Sequence, residues 1–358
     1  MNLMRTRFTA GLCVISLILA GGCVTAPKMA DVGIAGSSLE LSNTAFFPDE
    51  RRQAGPAALA TLLYTDGVDV GPDAVLPLLR TDVGERTPQA DLIAATLSLN
   101  RIPMVLEPTY ASLIAELRAG RPVMVLMVDM PPDAPADWRY AVVVGVQPEL
   151  DRFILRSGRT GRRFLSYDQF EKAWSPGHHW AMVVTRADEL PATVSADLWI
   201  AAADAVTQAK KPQLAETMVT TGVAKWGETT TSWVALGNAR YAQRDLVGAS
   251  RAYRKAIELK PDNAVAHNNY AEVLLDRHCI DNAQDQIDAA LKLETDPQLI
   301  ERFEGTQVMI RKHAGPSVYC PELADGDVAP TRYEGAPVDL NALPARPARR
   351  VRKPKKPQ

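Results

Sequence analysis

Covalent catalysis by a side chain needs a nucleophile, a base and a place for developing charge. The stretch Phe46 to Leu63, FFPDERRQAGPAALATLL, is built for the first of these. Gly55-Pro56 opens a helix at little cost, because a proline near the first helical position lacks an N–H that would have no intrahelical partner there. Ala57, Ala58, Leu59, Ala60, Leu62 and Leu63 continue it with helix formers and an apolar face. A residue just ahead of such a helix faces free backbone N–H groups and the positive dipole end, so a cysteine thiol placed there would be driven toward thiolate. The residue is Ala54, whose methyl group cannot attack anything. His178 and His179 are the next candidates for chemistry, but adjacent side chains of a strand point to opposite faces and cannot share one ligand. Beside Gly177 at the start of a strand they read as packing and turn residues. No metal-ligand spacing, phosphate loop or nucleotide fingerprint is present, so no metal and no cofactor are expected.

The elements that must position this stretch follow it. Helical patterns come first, around Asp73–Leu79, Pro88–Leu99 and Tyr110–Ala119, with Gly120 as a stop. Short valine-rich runs predict strands at 122–128, 140–146, 153–156, 163–165 and 180–185, interrupted by one helix over Tyr167–Trp174. Helices followed by strands indicate an α+β domain.

The 46–63 stretch resembles the nucleophile motif of the bacteriocin-leader (double-glycine) cysteine peptidases, and more closely their lipoprotein relatives with tetratricopeptide repeats. Their pattern runs roughly F-F-P-Q-x-x-Y-Q-C-G-P-A-A-L-A. A second block, Trp138 to Val146 (WRYAVVVGV), is similar to the family strand W-H-Y-A-V-V-x-G. The resemblance covers about residues 43 to 190 and implies a papain-like fold, a helix packed on an antiparallel sheet with the ancestral site in the cleft between them. It also implies that Ala54 stands at the nucleophile, Asp49 at the oxyanion-hole Gln and Arg139 at the general-base His, with the third catalytic position near Ser157. Each substitution removes a different role. Arginine stays protonated and cannot accept a proton, and an ionised Asp offers only acceptors where an oxyanion needs donors. The domain therefore reads as a pseudopeptidase. The alternative is an active peptidase of the bacteriocin-processing type using an unrecognised nucleophile, which a hydroxyl within reach of His178 or His179 would favour.

Past Pro191 the chain turns alanine-rich and repeats with a period of 34 residues. Trp233, Leu236, Gly237, Ala249, Tyr253, Ala256 and Pro261 match the tetratricopeptide (TPR) pattern, and a second copy shows His267, Tyr270, Ala271, Ala283, Ile287 and Ala290. A weaker first copy has Trp199, Ala202, Ala203 and Ala215. Three copies and a capping helix from Gln298 to Lys312 make a small all-α solenoid, in which small residues let paired helices approach and large ones fill the space between repeats.

The ends are different material. Arg5 and Arg7 precede the apolar run Gly11 to Ala20, which is too short to span a bilayer but suits a signal peptide. Leu19-Ala20-Gly21-Gly22-Cys23 resembles a bacterial lipobox, implying cleavage after Gly22 and lipidation of Cys23. With Val24 following, that implies a lipid-anchored protein of the cell envelope, at the outer membrane and facing the periplasm. The domains expected are a signal peptide (1–22), a tether (23–42), the papain-like domain (43–190), the TPR domain (195–313) and a Pro-rich basic disordered tail (314–358). Cys279 and Cys320 are left to form a disulfide or to stay as buried thiols. The overall charge of −2 hides an asymmetry: Arg346 to Gln358 holds seven basic residues, and setting these and the two leader arginines aside leaves 31 basic against 42 acidic. The tail is a candidate for anionic envelope polymers or for the chain's own acidic body. Nucleic acid is excluded by the compartment. The partners expected are a peptide or protein in the cleft and the TPR groove, with the membrane reached through the lipid anchor.

Overall fold

The computed structural model describes residues 37–49, 53–79, 87–129 and 136–312. The leader, Cys23, Cys320 and the basic tail lie outside the described residues.

Seven strands form one antiparallel sheet: β1 (Leu39–Glu40), β2 (Ile102–Val105), β3 (Val123–Asp129), β4 (Asp137–Gln147), β5 (Arg152–Ser157), β6 (Thr160–Ser166) and β7 (Ala181–Thr185). Their order is β2-β7-β3-β4-β5-β6, with β1 pairing with β4. Alternation along the strands serves two cores. Met124, Leu126, Tyr140 and Val142 face one side, and Val123, Val125, Ala141 and Val143 face the other. The β4–β5 register shifts between Val143 and Gly145, so Val144 and Val146 fall into different cores although they are two residues apart.

On the first face lies α1 (Ala54–Thr65), covered in turn by α2 (Pro72–Val75), a 3-10 turn (Leu76–Leu78) and α3 (Gln89–Ser98). Every residue of α1 from Gly55 to Leu63 is buried, as befits a helix that is apolar all round and held between a sheet and other helices. The second face is covered by α4 (Tyr110–Arg118) and α5 (Tyr167–Trp174). The start of α5 is a reciprocal cap: Ser166 Oγ accepts from the Gln169 N–H at 3.2 Å and the Gln169 side chain accepts from the Ser166 N–H at 2.9 Å.

Two strands depart from the expectation. Leu39–Glu40, counted in the tether, pairs with Val146 and Gly145 of β4. β2 was hidden by Pro103, which cannot donate to a ladder; among the described residues the strand lies at the sheet edge, paired with β7 alone, where one missing donor is tolerated.

The second half is a solenoid of three helix hairpins, α6 (Ala196–Gln208) with α7 (Pro212–Trp226), α8 (Thr230–Ala242) with α9 (Leu246–Leu259) and α10 (Ala264–Asp276) with α11 (Ile280–Leu293), closed by α12 (Pro297–Lys312). Ala249, Ala256, Ala283 and Ala290 are fully buried and Leu236 nearly so, while Trp233 and Tyr270 are half-buried and Pro261 lies exposed in the turn after α9. A polar ladder joins successive repeats. Asn238 donates to Asp204 at 2.9 Å and accepts from Tyr253 at 2.7 Å and from Asn269 at 3.1 Å. Asn268 then donates to both Asn269 and Glu272. Cys279 is buried and disulfide-bonded, with its partner outside the described residues.

Gly237 carries the closest approach in the solenoid. A Cβ there would stand 2.4 Å from the Tyr253 ring, which is itself 1% exposed and tethered through its hydroxyl to Asn238. Gly237→Ala is expected to cost about 1–3 kcal/mol by overpacking, outweighing the roughly 1 kcal/mol that alanine gains over glycine inside a helix. Chemical denaturation checks it; a variant as stable as the parent would show that Tyr253 has room to move.

The two halves share one core. The cluster on the second sheet face continues without a break from Val125 and Val183 through Ala187 to Trp199, Leu214 and Met218. The connecting residues are held from both sides: Arg121 donates to the Leu190 carbonyl at 2.5 Å, Glu116 accepts from the Thr193 N–H at 3.1 Å, and Thr221 donates to the Ala187 carbonyl at 3.0 Å. Composition marks the boundary near 190, but packing runs across it.

Candidate functional site

Ala54 begins α1, and the side chain of the N-cap residue Gln53 makes no capping bond. Beside it is a small, open pocket lined by Phe46, Phe47, Asp49, Ala54, Tyr140, Arg156 and Ser157, among others. Three of the four degenerate positions, Asp49, Ala54 and Ser157, thus meet in one pocket. The fourth, Arg139, stands behind it: its Nη1 is 3.3 Å from where a side chain on Gly158 would begin.

Asp49 and Arg139, the oppositely charged residues at the oxyanion-hole and base positions, take other partners than each other. Arg139 pairs with Asp137, which shares its face of β4. The Asp49 carboxylate accepts from the Gln53 N–H, and the Asp49 N–H donates to the Gly158 carbonyl at 2.7 Å. A backbone donor next to its own helix thus takes the place of the guanidinium. Burial raises the Asp49 carboxyl above the usual carboxylate range. The Gln53 N–H and the Arg139 charge pull it down, and Asp137 pushes it up.

Sequence reasoning missed Arg156. It donates to the Gly161 carbonyl at 2.6 Å and to the Ser42 carbonyl at 3.3 Å, while its Nε is buried with no hydrogen-bond partner. Burial lowers its pKa, opposed by the charge of Glu40. Ser157, 6% exposed, likewise has a buried hydroxyl with no partner. The β5–β6 register shifts between Leu155 and Ser157, which lets consecutive residues 156 and 157 line one pocket.

His178 and His179 do not join this pocket. They precede β7 rather than lying in it, both in the left-handed region with φ of 54° and 53°. His179 Nε2 lies 3.1 Å from Glu171, which also accepts from the Tyr110 hydroxyl, and its ring packs edge-on against Trp174 at 4.8 Å. Tyr110 and Trp174 belong to the core on the second sheet face, whereas Tyr140 and Val142 of the pocket belong to the first. Among the described residues no serine, threonine or cysteine side chain is hydrogen-bonded to a histidine ring. No group of three or more metal-ligating side chains occurs among the described residues, and no helix there is long and apolar enough to cross a membrane.

A TPR-repeat family model matches residues 237–276, from within α8 to the end of α10. Among solved structures, the chain is similar to one from Bacillus anthracis described as a C39-like peptidase, with 14% identity, a TM-score of 0.35, and coverage of 42% of this chain and 98% of that one. No curated protein matches. The molecule is an α+β domain, a buried helix across an antiparallel sheet with the pocket at the helix start, followed by an all-α solenoid that contains the TPR match.

Proposed function

We propose that this chain is a lipid-anchored envelope protein whose peptidase-like domain binds peptide or protein without cutting it, the TPR solenoid providing a second holding surface. The observation that carries the reading is the neighbourhood of α1's first residue. Ala54 has no nucleophilic atom, the arginine at the base position is paired with Asp137, and Ser157, a hydroxyl lining the same pocket, has no hydrogen-bond partner. An unactivated serine is a weak nucleophile. TPR repeats stack into extended surfaces that hold partners, which supports the second half of the proposal.

Activity-directed probes test the chemistry. Neither a peptidyl epoxide, which traps thiolates, nor a fluorophosphonate, which traps activated serines, is expected to label the purified chain. Stoichiometric fluorophosphonate labelling at Ser157 would establish an enzyme. For anchoring, Cys23→Ser is expected to release the protein from the membrane fraction with loss of the lipid mass. An unchanged mass and unchanged membrane retention would remove the lipoprotein assignment.

A further inference from the structure

One lane of polar side chains runs along the first helix of each hairpin. Asp204 of α6, Asn238 of α8, Glu272 of α10 and Thr306 of α12 follow one another at the repeat spacing of 34 residues, with Asn238 donating to Asp204 at 2.9 Å and Thr306 to Glu272 at 3.4 Å. Asp276 stands one turn beyond Glu272 and accepts from the Tyr241 hydroxyl at 3.0 Å. The lane is short of donors. Helices α6 and α10 contain no lysine or arginine, and the arginine of α8, Arg240, is buried and turned to Glu216 of α7 at 3.1 Å. Arg244 reaches Asp276 at 3.0 Å and Arg302 lies 3.9 Å from Glu272, but these side chains are 72% and 56% exposed, where an ion pair is weak and readily exchanged. The Asp204 carboxylate has Asn238 as its one side-chain donor among the described residues, and burial raises its pKa. Beside Glu272, to which it donates, the fully buried Asn268 leaves its Oδ1 without a partner.

The segment that matches this deficit follows α12 in the same chain. Arg346 to Gln358 carries seven cations, three prolines and no acid. Its guanidiniums match the carboxylates of the lane, and its prolines suit the half-buried ring of Tyr241, as proline-rich segments suit aromatic-lined grooves. The 33 residues between Lys312 and Arg346 reach about 100 Å at full extension, against the roughly 30 Å spanned by four helices packed 8–10 Å apart. A covalent tie shortens the path. Cys279, three residues past Asp276, is disulfide-bonded to a partner outside the described residues, and with Cys13 in the leader and Cys23 assigned to lipid, the remaining cysteine is Cys320. Resting on the reading of the solenoid as a holding surface, we propose that the basic tail of this chain, Arg346–Gln358, lies in the lane from Asp204 to Asp276 and blocks it until a competing basic segment displaces it.

Carbodiimide joins an ammonium to a carboxylate in direct contact, so it is applied to the full mature chain and the products are mapped by mass spectrometry. Cross-links from Lys353, Lys355 or Lys356 to Asp204, Glu272 or Asp276 are expected, and a mixture of isotope-labelled and unlabelled chains is expected to give them within one chain only. Cross-links between labelled and unlabelled chains would overturn self-occupancy in favour of a second copy, and cross-links to acids of the sheet domain alone would overturn the lane assignment. The synthetic peptide RPARRVRKPKKPQ then separates the block from the surface. A chain ending at Ala345 is expected to bind this peptide at least tenfold more tightly than the full chain does. In that shortened chain Asp204→Asn, which still accepts from Asn238, is expected to weaken binding about tenfold without moving the unfolding midpoint. Equal binding by the full and shortened chains would overturn the block and leave the holding surface standing. Binding by neither chain would overturn the lane as a holding surface as well.

Discussion

Trp199→Ala is expected to destabilise the whole chain by about 3–5 kcal/mol, the range for truncating a large buried aromatic side chain. Trp199 is fully buried, donates its indole N–H to the Met218 carbonyl at 2.6 Å, and packs in the core shared by the first repeat and the sheet. Gly222 shows how tightly the indole fits, because a Cβ there would meet its Cδ1 at 3.0 Å. Alanine would leave both a cavity and an unpaired carbonyl. Since the core is continuous, hydrogen exchange is expected to rise in β3 and β7 as well as in α6 and α7. Faster exchange confined to the helices would show that the halves are energetically separate, and the shared core would then be only a contact.

The second large effect is expected at Glu116, whose side chain on α4 is fully buried. It lies 3.5 Å from Arg121 and accepts from the N–H and hydroxyl of Thr193, in the segment that leads into the solenoid. Glu116→Ala removes the acceptor from these donors and leaves the guanidinium short of one partner, a loss of about 3–5 kcal/mol when a buried pair is broken. Glu116→Gln keeps an acceptor for Thr193, and Arg121 keeps Glu189 at 3.2 Å and the Leu190 carbonyl, so the amide is expected to be much milder. The pH dependence separates charge from shape. Burial raises the Glu116 carboxyl, opposed by Arg121 and the Thr193 and Ala192 contacts. A raised folded-state pKa gives stability that is fully present below the unfolded value and is lost as pH rises through the folded value. Glu116→Gln removes that loss, so its stability relative to the parent improves from acid to neutral pH. Urea titrations across this range check the sign, and a difference independent of pH would mean that Glu116 does not titrate with folding.

Those joint residues also mark where the sequence stops being readable. Helix α5 was legible because its cap is local: Ser166 and Gln169 sit three residues apart and satisfy each other's backbone. The solenoid was legible because its signal repeats, and the ladder partners Asp204 and Asn238 are 34 residues apart. The joint carries no such signal. Glu116 and Thr193 are 77 residues apart, and their contact exists only after the sheet has formed.

The pocket was legible in part. Family likeness placed Asp49, Ala54 and Ser157 at one site, and all three line it. The partner of Arg139 could have been found by strand alternation, since Asp137 and Arg139 fall on one face two residues apart. Arg156 and Ser157 in one pocket could not, because alternation puts neighbours on opposite faces and only the local register shift lets both reach it. Similarly, Pro103 and the brevity of β1 conceal strands that tertiary pairing stabilises at low local propensity.

The central claim is that this scaffold holds peptides and cannot cut them. Its most direct measurement is the mass spectrum of a double-glycine leader peptide after prolonged incubation with the repurified, tag-free mature chain. The account predicts full-length peptide only, at the level of a buffer control. Fragments ending at one defined bond, formed in proportion to protein and time, would contradict it.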